Sequence, residues 1–153
     1  MEFITIILVA LALSMDAFAV SLCFGANLRE NKVSIALKAG LFFGIFQALM
    51  PLAGWGIGYF LKETIQQFDH WIAFLLLTFI GGRMIYEASQ NKNCEKRFDA
   101  GSIWVMLTLS VATSIDALAI GLSFALIQIP IVLAVLIIGA VTFVISYYGV
   151  HIG

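Results

Sequence analysis

The chain has 153 residues, of which 62% are hydrophobic and 11% charged, with a formal net charge of −1 and a mean hydropathy of +1.05. So few charges over this length exclude an ordinary soluble domain and place the chain in a lipid bilayer. The near-neutral balance also excludes nucleic acid as a partner, because that binding needs concentrated positive charge.

A hydrocarbon core about 30 Å thick needs roughly 20 apolar residues per helix, and five stretches are expected to cross it. The first, Phe3 to Asn27, contains one charge, Asp16; with no basic residue before it, it reads as a retained span and not a signal peptide. The second runs from about Ile35 to Leu61 and carries only Lys38, near its start. Pro51 and the glycines at 40, 44, 54, 56 and 58 mark it as the span expected to break or move. The third, Trp71 to about Ala88, has Arg83 and Glu87 in its last turns, where snorkelling or a local ion pair is expected. The fourth, Ser102 to Ile129, again contains one charge, Asp116, and the fifth, Ile131 to Ile152, contains none. Trp55, Trp71 and Trp104 suit interfacial anchors. Cys23 and Cys94 have no partner at ligand spacing, so neither a disulfide nor a zinc site is expected.

Lys and Arg are depleted from translocated loops. Arg29, Lys32, Lys38, Arg83, Lys92, Lys96 and Arg97 fall on one side and Lys62 alone on the other. The distribution predicts cytoplasmic loops at 28–38 and 89–101 and an N-terminus outside.

The sequence matches itself one hundred residues on. Ala12-Leu13-Ser14-Met15-Asp16-Ala17-Phe18-Ala19 recurs as Ala112-Thr113-Ser114-Ile115-Asp116-Ala117-Leu118-Ala119, and Gly54-Trp55-Gly56-Ile57-Gly58 of the second span pairs with Gly149-Val150-His151-Ile152-Gly153 of the fifth. Three spans separate each helix from its copy, so the copies are expected upside down. The expected architecture is an all-α polytopic bundle of two inverted three-helix repeats, with five of six helices present. Residues 1–88 would form the first repeat, 89–101 a cytoplasmic linker, and 102–153 an incomplete second repeat, with a second chain as one possible source of the missing helix.

Asp16 and Asp116 lie near the centres of their spans, where a charge costs at least about 2.5–3.5 kcal/mol. With no Lys or Arg expected at that depth, protonation, hydrogen bonding or a bound cation must compensate, and a divalent ion between two carboxylates would neutralise both. Pro51 frees the carbonyl of Gln47, whose side-chain amide adds a second oxygen. Thr142 and Ser146 stand opposite Gln47 and Pro51 in the matched span. Carboxylate, amide, hydroxyl and carbonyl oxygens form a hard set suited to Mg, Ca or Mn, to which Met15 could add a thioether. The plainer alternative for each Asp is packing glue, hydrogen-bonded to a neighbouring hydroxyl. No nucleotide-binding motif is present.

Ser14-Met15-Asp16-Ala17-Phe18-Ala19, Met50-Pro51-Leu52-Ala53-Gly54-Trp55-Gly56, Asp69-His70-Trp71-Ile72-Ala73-Phe74, Gly81-Gly82-Arg83-Met84-Ile85 and Ala112-Thr113-Ser114-Ile115-Asp116-Ala117 occur in order. Together they resemble the bacterial manganese efflux pumps of the MntP family, related to the LysE-type exporters. The resemblance implies a non-enzymatic inner-membrane transporter of six helices that exports Mn²⁺ as substrate, with no resident cofactor. The family's paired membrane aspartates carry over to Asp16 and Asp116, and the metal set read from the residues is Asp16, Asp116, Gln47 and Thr142. Some relatives have Glu where Gln47 stands. Rival readings are export of an amino acid or other small solute, and an intramembrane aspartyl protease, which pairs two membrane aspartates to activate water.

Overall fold

A computed structural model describes residues 2–28, 31–65, 69–89, 102–127 and 129–153. Among them there is no strand, and six helices follow in chain order: α1 Glu2–Asn27, α2 Lys32–Ile65, α3 Asp69–Ser89, α4 Ile103–Thr113, α5 Ile115–Ile127 and α6 Ile131–Ile152. An all-helical answer follows from the solvent, since lipid offers backbone N–H and C=O groups no partners and a helix satisfies them internally.

Four helical stretches among the described residues, not five, are long and apolar enough to cross a membrane: Phe3–Asn27, Lys32–Phe60, Ile103–Ala125 and Ile131–Ile152. The expected architecture of five spans in two three-helix repeats is corrected accordingly. The difference falls on α3, whose mainly apolar stretch, Trp71 to Ile80, is followed by Gly81, Gly82, Arg83 and Glu87. That stretch is about half the length a crossing needs. Most of the expected linker, 90–101, lies outside the described residues.

Two further expectations change. Helix α2 runs unbroken through Pro51, and the break instead divides the fourth span at Ser114, between α4 and α5. Cys23 is disulfide-bonded, which residue spacing along the chain could not indicate.

Chain direction changes between α1 and α2 with the help of Asn31, at φ 59°, a left-handed conformation that Asn tolerates better than most residues. Its carbonyl accepts the Ile35 N–H at 3.2 Å, opening α2. The dominant packings are α2 with α6, α1 with α6 and α2 with α5. Lipid tails are as apolar as leucine, so these helices gain little from hydrophobic burial against each other and depend on close approach.

Glycines supply that approach. A Cβ at Gly54 would lie 2.0 Å from the Leu118 carbonyl oxygen, and one at Gly121 would lie 2.0 Å from that of Pro51. A Cβ at Gly153 would lie 2.1 Å from the Leu22 oxygen, and one at Gly149 would meet Ser21 and Phe18. These contacts are matched pairs: Gly54 meets Leu118 where Gly149 meets Phe18, and Gly58 meets Leu122 where Gly153 meets Leu22. Their order also gives direction, with α2 parallel to α5, α6 parallel to α1, and α2 antiparallel to α6 through Gly40–Phe143 and Gly44–Gly139.

Two apolar cores fill the spaces. Ile6, Ala10 and Leu13 of α1 join Ala117, Phe124, Ala134 and Ile138 in one. Ala17, Phe24, Ala36, Phe43, Met106 and Val150 form the other, with the Phe24 and Phe43 rings stacked at 6.2 Å.

Gly54→Ala and Gly121→Ala should each destabilise the protein by about 1–3 kcal/mol, because backbone cannot yield as a side chain can. Gly56→Ala, where an added Cβ would meet nothing within 4 Å, should be neutral or slightly stabilising. Unfolding midpoints of the three variants in one detergent check this.

Candidate functional site

The break at Ser114 positions one of the two candidate carboxylates, Asp116. Ser110 Oγ donates to the Met106 carbonyl at 2.7 Å, Thr113 Oγ1 to that of Ser110 at 3.3 Å, and Ser114 Oγ to that of Ser110 at 2.6 Å. Such back-bonding hydroxyls compete with the helical ladder and bend or interrupt it. Ser114 itself, at φ −107° and ψ 4°, has left helical geometry. In α1 the equivalent stretch is unbroken. There Ser14 makes one such bond, to Leu11 at 2.8 Å, but Ala10 and Leu13 stand where Ser110 and Thr113 stand.

Asp116 consequently falls in the first turn of α5. Its Oδ1 accepts the Ala117 N–H at 2.9 Å. A negative group is favoured there by the unsatisfied N–H groups and the positive end of the helix dipole.

The same break frees the carbonyl of Ala112, whose partner in a continuous helix would be the Asp116 N–H. It accepts instead from Arg83 of α3, with Nη2 at 2.5 Å. Ala112 lies close to the middle of the Ile103–Ala125 span. The expectation that no cation reaches that depth is therefore corrected. Asp116 is close enough to Asp16 to be repelled by it and close enough to Arg83 to be attracted. Residue spacing missed Arg83 because its target is a backbone oxygen exposed by a break that hydropathy does not reveal.

The four candidate ligands divide between two settings. Asp16 lies on the exposed side of α1 with Ala12, Met15 and Ala19, and Asp116 and Arg83 are half-buried. Gln47 and Thr142 are fully buried. Gln47 Nε2 donates to the Leu13 carbonyl at 3.0 Å, fixing α2 to α1 one turn from Asp16, while its Oε1 has no partner. The hydroxyls of Thr142, Ser146 and Ser21 are also buried and unpartnered. Buried polar atoms ordinarily have a partner, so the α1–α2–α6 interior retains four oxygens with acceptor capacity. The structure thus brings Asp16, Asp116 and Arg83 into one electrostatic cluster, with Gln47 and Thr142 in the packed interior. Among the described residues no group of three or more His, Cys, Asp or Glu forms a ready-made metal cage.

A helical membrane bundle with a broken helix and a carboxylate at the break has the features from which integral membrane transport proteins build ion sites. A family model described as "Putative manganese efflux pump" matches residues 30–153. A MntP-type protein of Clostridium perfringens with that description is 48% identical across the whole chain, which spans 82% of the relative. One from Aliarcobacter butzleri is 51% identical over 97% of the chain and 82% of its own length. A third, from Gloeothece citriformis, is 46% identical over the whole chain and 81% of its own length. No solved structure matches. The chain belongs to the MntP-type manganese efflux pump family, whose members are transporters and not enzymes.

Gln47→Leu removes one buried hydrogen bond and also removes an unpartnered buried oxygen. The two effects oppose one another, so its stability should stay within about 1 kcal/mol of wild type, checked by unfolding in the same detergent.

Proposed function

We propose that the chain exports Mn²⁺ from the cytoplasm, in exchange for protons, through a site between Asp16 and Asp116. The observation that carries the proposal is the presence of one aspartate, Asp16 or Asp116, in each of two membrane-crossing helical stretches in a chain of this family. Asp16 and Asp116 bind the ion, and Gln47 and Thr142, with their unpartnered oxygens, complete its coordination as the helices move. The hard oxygen set favours Mn²⁺, Mg²⁺ or Ca²⁺ over softer metals, and the names of the relatives favour the first. Moving a divalent cation outward against about 100 mV costs roughly 4.6 kcal/mol, twice the single-charge cost. Uncoupled export would run uphill, and carboxylates that surrender the metal can take up protons in its place.

In this proposal, loops 28–38 and 89–101 face the cytoplasm and the N-terminus lies outside. The parallel course of α2 and α5 supports a common side for the two loops, and the Lys and Arg count assigns that side to the cytoplasm.

Asp16→Asn and Asp116→Asn, inserted at wild-type levels, should each abolish relief of manganese toxicity in a strain lacking its own exporter and leave cellular manganese high. Normal export by both variants would sink the site assignment, and altered release of an amino acid with unchanged manganese would favour the solute-export reading. In cells, Lys62→Cys should react with a membrane-impermeant maleimide. Lys92→Cys should react only after permeabilisation, both in a Cys23→Ser, Cys94→Ser background.

A further inference from the structure

Arg83 reaches a backbone oxygen that a continuous helix would have hidden. Its Nη2 lies 2.5 Å from the Ala112 carbonyl, one turn before Asp116, whose Oδ1 is held by the Ala117 N–H on the other side of the break. Inside a membrane an unpartnered carbonyl costs several kcal/mol, so a donor at this point is required if the break is to persist. A neutral donor such as Ser, Asn or Gln would suffice for that alone. Arginine adds a charge that cannot be given up and a planar fork with five donors. One edge of that fork can serve the carbonyl while its charge acts on the carboxylates.

We infer that Arg83 is the built-in counter-ion of the aspartate pair: anchored on the Ala112 carbonyl, it holds the α4–α5 break in its cation-free form and withdraws when a divalent cation binds. This rests on the cation-site reading above. Two carboxylates and one guanidinium leave the empty site with a single negative charge. A divalent ion would turn that into a single positive charge if the guanidinium stayed, so occupancy by metal and occupancy by Arg83 oppose one another. The same opposition helps release, because the returning guanidinium replaces the departing ion. Arg83 is then a positioning residue that weakens binding and speeds turnover, which a purely structural brace would not do.

The test uses the full chain in lipid nanodiscs, with Mn²⁺ as the probe followed by its electron paramagnetic resonance signal, and proteoliposomes for efflux. Arg83→Gln keeps an amide donor and removes the charge. It should bind Mn²⁺ roughly tenfold more tightly, a difference of about 1.4 kcal/mol, yet turn over at a tenth of the wild-type rate or less at saturating Mn²⁺. Arg83→Lys should recover most of both properties. Unchanged or weaker binding by a folded Arg83→Gln protein would overturn the inference. If that variant cannot be recovered folded, phenylglyoxal labelling of Arg83 in the wild type decides. Labelling should rise when Mn²⁺ is added, and equal labelling with and without the metal overturns the inference. Asp116→Asn separates the two levels. If wild type binds no Mn²⁺, or Asp116→Asn binds it as wild type does, the cation-site reading falls and the counter-ion falls with it. If Asp116→Asn abolishes binding while Arg83→Gln leaves it unchanged, the counter-ion alone is lost.

Discussion

Close backbone approach between helices is the constraint from which the rest of this structure follows. In lipid, apolar side chains gain little by leaving one hydrocarbon surface for another, so association depends on dispersion contacts at short range and on the few polar bonds that cross between helices. The chain meets that need with glycine at the positions where two backbones would otherwise be held apart. Gly54 and Gly58 bring α2 onto α5, and Gly149 and Gly153 bring α6 onto α1. Each crossing sets an aspartate-bearing helix against a helix with buried, unpartnered side-chain oxygens. The polar groups are thereby fixed by contacts that are not themselves polar.

The two aspartate helices start from almost the same sequence and end in different structures. Helix α1 tolerates Ser14 and stays continuous, whereas three hydroxyls at 110, 113 and 114 pull α4 away from α5. The consequence is chemical as well as geometric. One aspartate sits on the side of an intact helix, and the other sits at a helix start, with an amide donor on its carboxylate and a freed carbonyl one turn earlier. Arg83 satisfies that carbonyl, which ties the least apolar helix, α3, to the polar centre.

Much of the fold was legible because a bilayer leaves little choice. Long apolar stretches had to be helices, and α1, α2 and α6 fall close to where hydropathy put them. The third span was overcounted because composition averages a stretch and does not weigh where its charges fall. Pro51 pointed to a break in α2, yet Pro51 is buried against Gly121 in a continuous helix. A proline removes only one ladder bond, and neighbouring backbone packed on both sides can hold the helix through it. The hydroxyls that do interrupt a helix are common in membrane spans, and nothing in their spacing along the chain marks these three as decisive.

The sequence by itself determined the solvent, the helical class, the two membrane aspartates and the glycine pattern that matches across the chain, because each follows from composition or from local periodicity. Only the tertiary structure decided that the break falls at Ser114, that Gln47 bonds to α1, that Cys23 is bonded, and that Arg83 meets Ala112. Those outcomes depend on which backbone groups lose their local partners and which distant side chains can reach them. Both are properties of helices packed together and not of any one helix alone.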